Sequence, residues 1–322
     1  MKSGKLQGSI LDRSVFKVLH RESKNILCKP KVGVGYQLIH MEGGLMAACT
    51  NTVEGTPFQV GTLAVPRALN SLVCSGARPI GLMLALTLPE SVDEPDFRKM
   101  MQAIDADCRC AQIEVMGGHT QISSGVSRVI ASVTAFGMMA QPQLPGTPRP
   151  GQDIVMTKWA GMSGTWLLEQ KYHDAFVKKY NPDIADSIAR MKDGFMAVKE
   201  AQAAYDSGVS AIFDLSEGGV FGGLWEASCA GNVGLVAELK KIPIKQETVE
   251  LCDFVDVNPY LMPSLGAMLM AADHGEQLVR KLEQEGIAAA VIGSFTDNHD
   301  KVIVNDDEVR YLEPPRGCAI EY

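Results

Sequence analysis

The amino-acid sequence predicts an α/β protein of two domains. Strand-like apolar runs alternate with segments of helical periodicity along the chain, a pattern typical of mixed α/β layers. The length of 322 residues is that of about two ordinary domains. Residues 141–151 hold four prolines and two glycines, so no regular structure is expected there. We therefore expect one domain over residues 1–145 and a second over residues 146–322.

The first half contains candidate strands and helices in alternation. Helical patterns cover Val60–Gly76, with Pro66 early in it, and Glu94–Ala111, which follows the helix-start signals Ser91 and Pro95. Apolar runs predict strands at Leu45–Thr50, Ile80–Leu88, Ile113–Met116 and Val129–Phe136.

The second half continues the alternation. Strands are expected at Asp153–Thr157, Ala211–Asp214, Val233–Glu238, Ala267–Ala271 and Ala288–Ile292. Helices are expected near Gly164–Gln170, Asp183–Tyr205, Gln246–Phe254 and Gly275–Glu285, with one more after Gly218-Gly219.

Composition excludes several classes of function. A net charge of −8 and a pI near 5.3 argue against a general nucleic-acid or membrane-surface binder, because both partners reward basic patches. No apolar run reaches the roughly 18–20 residues that span a bilayer, and the first residues lack the apolar core of a signal peptide. The eight cysteines are scattered without metal-ligand spacing, as expected for reduced thiols. We expect a cytoplasmic protein with a small ligand.

The segment from Asp214 to Gly219 is a candidate phosphate-binding turn. It follows a buried strand and precedes a helix through Trp225. The backbone N–H groups at a helix start are unpaired and carry partial positive charge, and glycine lets a phosphate approach them. A plain tight turn gives the same pattern. Asp214 either anchors a nucleotide or metal, or caps the following helix.

Several blocks resemble one protein family. Gly117-Gly118-His119-Thr120 and the strand after it are similar to the Gly-Gly-x-Thr turn and next strand of the aminoimidazole ribonucleotide synthetase (PurM-like) superfamily. That superfamily includes the hydrogenase maturation protein HypE, thiamine-monophosphate kinase and selenophosphate synthetase. The blocks Asn70–Pro79, Asp214–Gly219 and Asn258–Gly266 follow in the family's order. HypE-like proteins are the most similar branch, because the early Gly33-Val-Gly35 block, the Gly-Gly-His-Thr turn and the Gly-Gly helix start of the second domain lie at similar places.

The resemblance implies an architecture and a chemistry. PurM-like N-terminal domains pair across a two-fold axis into a dimeric β-barrel, with the C-terminal α/β domains outside. The implied protein is a homodimer that binds ATP, uses Mg²⁺, activates an oxygen by phosphoryl transfer and works with a hydrogenase maturation partner. The implied nucleotide-binding residues are Gly33, Gly35, Asn51, Asn70, Gly117, Gly118, His119, Thr120, Gly218 and Gly219. For His119, a turn histidine without a ligand is the alternative.

The acids that the family uses to bind metal are replaced by neutral residues in this chain. Neutral side chains give up most of the attraction for Mg²⁺. The remaining candidate metal ligands are Asp214 and Glu54, which lies three residues beyond Asn51. The family's Gly-x-Gly-Asp-Asp, Thr-Thr-Asp and Asn-Asp blocks read here Gly33-Val-Gly35-Tyr36-Gln37, Cys49-Thr50-Asn51 and Asn70-Ser71.

The C-terminal tail contains a candidate carrier cysteine. In HypE proteins a flexible tail ends in a cysteine that receives a carbamoyl group. Here Pro315-Arg316-Gly317-Cys318 is similar to that ending, but four residues follow it. Cys318 is a candidate catalytic residue or a chance cysteine in a proline-rich tail.

Three functions stay open from the sequence. The first is a HypE-like, ATP-using maturation enzyme. The second is a homolog that binds a nucleotide or another small phosphorylated ligand without magnesium-dependent catalysis. The third is an ATP-dependent synthetase or kinase that acts on an unknown small metabolite.

Overall fold

The computed structural model describes residues 6–19, 22–27, 31–139, 146–315, 317 and 320. These residues form two compact units. The small unit contains residues 23–27 and 35–139, and the large unit contains the described residues up to 22, residues 31–34 and those from 146 onward. The domain boundary expected between residues 145 and 146 adjoins residues outside this description, and it stays a prediction.

Helices and strands alternate along both units. The helices are α1 (Gly8–Leu11), α2 (Pro57–Val73), α3 (Glu94–Cys110), α4 (Met162–Lys179), α5 (Pro182–Ala189), α6 (Val198–Asp206), α7 (Gly219–Gly231), α8 (Gln246–Val255) and α9 (Gly275–Gln284). The strands are β1 (Gln37–Met41), β2 (Gly44–Gly55), β3 (Arg78–Leu88), β4 (Glu114–Ile122), β5 (Val129–Met139), β6 (Asp153–Thr157), β7 (Ala211–Asp214), β8 (Gly234–Glu238), β9 (Met268–Ala272), β10 (Ala289–Thr296), β11 (Lys301–Asn305) and β12 (Glu308–Tyr311).

The small unit is a five-stranded sheet with helices on one face. The strand order is β1-β2-β5-β3-β4, and only the β3–β4 pair in it is parallel. Alternate residues of β2, including Ala47, Cys49 and Val53, are buried on the side where α2 packs. The opposite face exposes apolar side chains such as Met83 and Met138. The sheet therefore has a covered face, toward α2, and an open face.

Helix α2 begins earlier than its apolar pattern predicted. Thr56 accepts a hydrogen bond from the Gln59 backbone, and the Gln59 side chain accepts one from the Thr56 backbone. This capping box and Pro57 at the first helical position fix the start. Pro66 consequently lies inside the helix rather than early in it.

The turn expected at Gly117–Thr120 is wrong, because these residues lie within strand β4. They pair in parallel with Met83–Leu86 of β3. A Cβ at residue 118 would lie only 1.7 Å from the carbonyl oxygen of Leu84, so the close strand approach requires glycine there.

The large unit contains a seven-stranded mixed sheet in the order β12-β11-β8-β10-β6-β9-β7. Strands β6 and β9 are buried on both faces, which agrees with their continuous apolar sequences. The long helix expected at Asp183–Tyr205 is divided into α5, a 3₁₀ turn at Arg190–Gly194 and α6. The hairpin of β11 and β12 was not predicted from the sequence. Within the described chain, no helix has both the length and the apolar character needed to cross a membrane.

Candidate functional site

The Asp214 carboxylate holds the turn that precedes α7. One of its oxygens accepts a hydrogen bond from the Ser216 backbone at 3.1 Å, and both lie 2.6 Å from the Ser216 hydroxyl. The N-cap of α7 is Gly218, which offers no side chain. Asp214 therefore caps the turn before the helix rather than the helix itself.

The two glycines at the start of α7 allow close contact with a neighbouring loop. Gly218 and Gly219 have left-handed φ values of +75° and +61°. A Cβ at residue 219 would lie 2.5 Å from the carbonyl oxygens of both Tyr260 and Met262. The blocks Asp214–Gly219 and Asn258–Gly266 thus contact each other directly.

The first N–H groups of α7 are open. The Gly222 N–H donates to the Gly218 carbonyl at 3.0 Å, which closes the first turn. The N–H groups of Gly219, Val220 and Phe221 find no acceptor among the described residues. Unpaired N–H groups at a helix N-terminus, together with the helix dipole, attract anions. This turn is therefore the candidate phosphate-binding site.

An aromatic pair stands beside this turn. The rings of Phe221 and Tyr260 stack with centroids 5.3 Å apart and an interplanar angle of 16°. Burial raises the pKa of the Tyr260 phenol. Sequence reasoning identified the block that contains Tyr260 but missed its contact with α7, because a loop leaves no periodic signal.

Gly33 also contacts α7, but farther along it. Its φ is +83°, and a Cβ there would lie 2.7 Å from the carbonyl oxygen of Glu226. Lys31 donates to the Ala230 carbonyl at 3.3 Å. Glu226 is about two helical turns beyond Gly219. Gly33 therefore does not line the Gly218–Gly219 turn.

In the small unit, three neutral site positions share the interface between β2 and α2. Asn51 is half-buried on the covered face, and its amide nitrogen lies 3.9 Å from the Cys49 sulfur. The Cys49 thiol donates to the Ala68 carbonyl of α2 at 3.2 Å. Asn70 is fully buried in the next turn of α2, and Ser71 follows it. The Cys49–Ala68 contact thus joins the strand that carries Asn51 to the helix that carries Asn70 and Ser71.

Gly35 lies beside Ser71. A Cβ at this position would lie 3.8 Å from the Ser71 Cβ. The structure thus brings Gly35 to the C-terminal half of α2, whereas Gly33 contacts α7.

Two other predicted positions lie on the opposite, open face of the sheet. Gln37 pairs with Ala48, and Glu54 pairs with Ile130. Side chains alternate along a strand, so both point away from the face of Asn51. Glu54 is exposed, and the buried Gln37 Oε1 has no hydrogen-bond partner in the described part of the chain. The structure does not bring Glu54 together with Asn51.

The Gly117–Thr120 segment is divided between the two faces. Strand pairing aligns Asn51, across β5 and β3, with Gly118, so both belong to the covered face. Thr120 shares that face by alternation, whereas Gly117 and His119 face the other way. All four residues are exposed on the edge strand β4.

The tail approaches the start of α7. The Pro315 ring lies 3.8 Å from the position that a Cβ would take on Gly218, and 3.7 Å from that on Gly222. Cys318 and Arg316 lie outside the described residues. The proposed carrier role of Cys318 stays a prediction.

The donors at the α2–β2 interface do not fit a magnesium ion. Mg²⁺ prefers carboxylate oxygens and keeps several waters, whereas Asn51, Asn70 and Ser71 offer amides and a hydroxyl. In the large unit, the Asp214 carboxylate is already bonded to Ser216. Over the described residues, no three His, Cys, Asp or Glu side chains come together as metal ligands.

Comparison with known proteins identifies the family. Residues 37–139 match the AIR synthase related protein N-terminal domain, and residues 149–305 match its C-terminal domain. Carbamoyl dehydratase HypE of Rhodobacter capsulatus is 23% identical over 270 residues, which cover 80% of this chain and 77% of the relative.

Solved structures show the same fold. The hydrogenase maturation protein HypE in complex with ATP has a TM-score of 0.72 at 17% identity, covering 97% of this chain and 92% of that chain. HypE from a HypE–HypF complex has a TM-score of 0.73 at 18% identity, covering 86% and 93%. The predicted two-domain α/β PurM-like fold and the superfamily are confirmed, and the dimeric β-barrel stays a prediction. This chain belongs to the AIR synthase related protein family.

Proposed function

We propose that this protein is a HypE-like, ATP-binding protein of hydrogenase maturation, in which ATP activates an oxygen by phosphoryl transfer. The observation that carries the proposal is the start of α7 beside the Asp214 turn, where three N–H groups find no acceptor among the residues that the structure describes. The similarity to a carbamoyl dehydratase HypE and to HypE in complex with ATP supports it.

The roles of individual residues follow from that position. Gly218 and Gly219 let a phosphate approach the α7 N–H groups, and Asp214 holds the turn or contacts the nucleotide. Cys318 is retained as the proposed carbamoyl carrier. In the small unit, the proposed nucleotide contacts are Gly35, Asn51, Asn70, Gly117, Gly118, His119 and Thr120, and Gly33 is proposed from the large unit.

Calorimetry tests the proposal directly. ATP and ADP are titrated into the purified protein, and we expect saturable binding that the Gly218→Ala variant weakens, because a left-handed N-cap disfavours a Cβ. Gly208→Ala is the matched control, since Gly208 has a φ of +79° with no heavy atom within 4 Å of the added Cβ. Absence of ATP binding to the unmodified protein would refute the proposal.

A second candidate function is nucleotide or phosphometabolite binding without magnesium-dependent catalysis. The neutral donors Asn51, Asn70 and Ser71 favour it, because phosphoryl transfer needs a cation to neutralise phosphate charge. Phosphate release separates the two candidates. Release from ATP that requires Mg²⁺ supports the first, and ATP binding without release supports the second.

We also propose a homodimer and a maturation partner protein. The open face of the small-unit sheet exposes apolar residues such as Ile80, Met83 and Met116, and the edge strand β4 is exposed along its length. The similarity to HypE from a HypE–HypF complex supports the partner. Light scattering after gel filtration tests the dimer, and a monomeric mass at micromolar concentration would contradict it. A cytoplasmic location stays a prediction.

A further inference from the structure

We infer that the hydroxyl of Tyr260 donates a hydrogen bond to a phosphate of the ligand that binds at the start of α7. The inference rests on the proposed ATP site and adds a side chain that contacts the ligand there. Every group on which it depends belongs to the large unit.

Tyr260 lies beside the first turn of α7. Its backbone carbonyl oxygen is one of the two atoms that would lie 2.5 Å from a Cβ on Gly219. Its ring stacks on that of Phe221, with the centroids 5.3 Å apart. Phe221 is the third residue of α7, and the side chains of an α-helix lean toward its N-terminus. The stacked rings therefore stand next to the N–H groups of residues 219–221, which find no acceptor among the described residues.

The Tyr260 hydroxyl has no hydrogen-bond partner in the described part of the chain. Tyrosine is half-buried here, and a buried tyrosine hydroxyl usually finds a partner because an unpaired one costs free energy. Over the described residues, the fully buried side-chain oxygen that lacks a partner is the Gln37 Oε1, so the Tyr260 hydroxyl is still accessible to a ligand. The fold thus leaves this donor unpaired beside the unpaired N–H groups of α7.

A phosphate suits this set of donors. Burial raises the pKa of the Tyr260 phenol, so the hydroxyl keeps its proton at neutral pH, whereas a phenolate would repel a phosphate. A hydrogen bond to a charged phosphate oxygen is stronger than one between neutral groups. The stack on Phe221 holds the Tyr260 ring in one orientation, so Phe221 is a positioning residue.

The experiment compares the Tyr260→Phe variant of the full chain with the unmodified protein. Calorimetry should show ATP binding weakened about ten-fold, because a hydrogen bond to a charged group is lost. The melting temperature should stay equal or rise, because the variant keeps the stacked ring and loses a hydroxyl that no described residue bonds. Phosphorus NMR of ATP at saturation should show one phosphate resonance displaced between the two proteins.

Two further variants complete the test. Tyr311→Phe is the matched control, because Tyr311 is 69% exposed on β12, and it should keep both the ATP affinity and the melting temperature of the unmodified protein. Phe221→Leu should weaken ATP binding in the unmodified protein and have no further effect in Tyr260→Phe, because it acts through the Tyr260 hydroxyl.

The outcomes are distinct. A Tyr260→Phe variant that binds ATP as tightly as the unmodified protein overturns the inference and leaves the proposed function standing. Weaker binding with every phosphate resonance unchanged places the hydroxyl against the nucleoside and also overturns it. Weaker binding together with a lower melting temperature assigns the hydroxyl a structural role, with the same result. No ATP binding by the unmodified protein overturns the proposed function, and the inference with it.

Discussion

Two strand-to-helix turns in the large unit share a glycine pattern but differ in what their N–H groups contact. Strand β6 leads through Gly161, with a φ of +72°, into α4, and β7 leads through Gly218, with a φ of +75°, into α7. Neither helix has a side-chain cap at its N-cap glycine. By backbone conformation alone, both turns could bind an anion.

The neighbouring loop occupies two N–H groups of one of them. The Gly161 N–H donates to the Ser264 hydroxyl at 2.8 Å, and the Gly164 N–H donates to the Pro263 carbonyl at 2.9 Å. At α7 the same loop presents backbone carbonyls to Gly219 through close packing, and the N–H groups of residues 219–221 find no acceptor in the described structure. A glycine turn therefore identifies an anion site only when no neighbouring segment occupies its N–H groups.

The largest expected effect comes from a substitution at Lys158 in the α4 turn. Lys158, in that turn, donates to the carbonyls of Gly194 and Met196 at 2.7 Å and pairs with the buried Glu200 at 2.6 Å. Lys158→Met leaves a buried carboxylate without its partner and should lower the free energy of unfolding by about 4 kcal/mol. Denaturant unfolding measures this. Lys240→Met, which breaks an exposed pair, should cost under about 1 kcal/mol, and equal losses would contradict the argument.

The next largest loss of stability is expected from a substitution at Gly219 in the α7 turn. Gly219→Ala places a Cβ 2.5 Å from two backbone carbonyl oxygens at a φ of +61°, and should cost about 3 kcal/mol. The melting temperature should fall, and ATP affinity should fall with it. Gly208→Ala serves as control because it has a similar φ and free space, so about 1 kcal/mol is expected. A Gly219→Ala variant as stable as this control would show that the loop yields easily.

A smaller effect is expected when the Gly161 N–H at the start of α4 loses its acceptor. Ser264→Ala removes the acceptor of the buried Gly161 N–H and should cost about 2 kcal/mol. ATP affinity should stay within about two-fold, because the Ser264 hydroxyl reaches the α7 turn only indirectly, through its 3.1 Å hydrogen bond to the Met262 carbonyl beside Gly219. Ser207→Ala, whose hydroxyl bonds within its own helix, should cost under about 0.5 kcal/mol. An ATP affinity that falls with Ser264→Ala would place the α4 turn in the site.

The smallest effect concerns pH and α4 alone. A hydrogen bond from the His173 Nδ1–H to the Glu169 carboxylate, followed by the charge of that carboxylate, raises the pKa of His173 above the ordinary 6.5. A raised folded pKa gives stability that is fully present below the unfolded pKa and is lost as pH rises through the folded pKa. The melting temperature of the unmodified protein should exceed that of His173→Gln more at about pH 5 than at about pH 9. An equal difference at both would contradict the pairing, and ATP affinity should not change.

Much of the fold followed from local chemistry. Buried strands such as β3 and β5 were predicted from apolar runs, and α3 from its start signals, because these patterns are local. The capped start of α2 was missed because its Thr56–Gln59 box precedes the apolar pattern.

Side-chain facing was harder to predict than element type. Glu54 was chosen as a metal ligand because it is three residues from Asn51, but an odd spacing on a strand puts two side chains on opposite faces. The Gly117-Gly118 pair was expected in a turn, yet Gly118 is needed for close strand approach to Leu84. The number of residues between two positions shows neither which face of the sheet a side chain occupies nor how closely two strands approach.

The sequence by itself determined the family, the two sets of alternating elements and the loss of carboxylates at Asn51 and Ser71, because residue identity carries that information. Only the tertiary structure decided that the neighbouring loop bonds the N–H groups of Gly161 and Gly164 at the α4 turn, whereas those of residues 219–221 at α7 find no acceptor in the described part of the chain. Both turns contain the same glycine signal, and the hydroxyl that closes one of them, on Ser264, comes from about one hundred residues away in the chain. Contacts over that separation are set by packing rather than by local pattern.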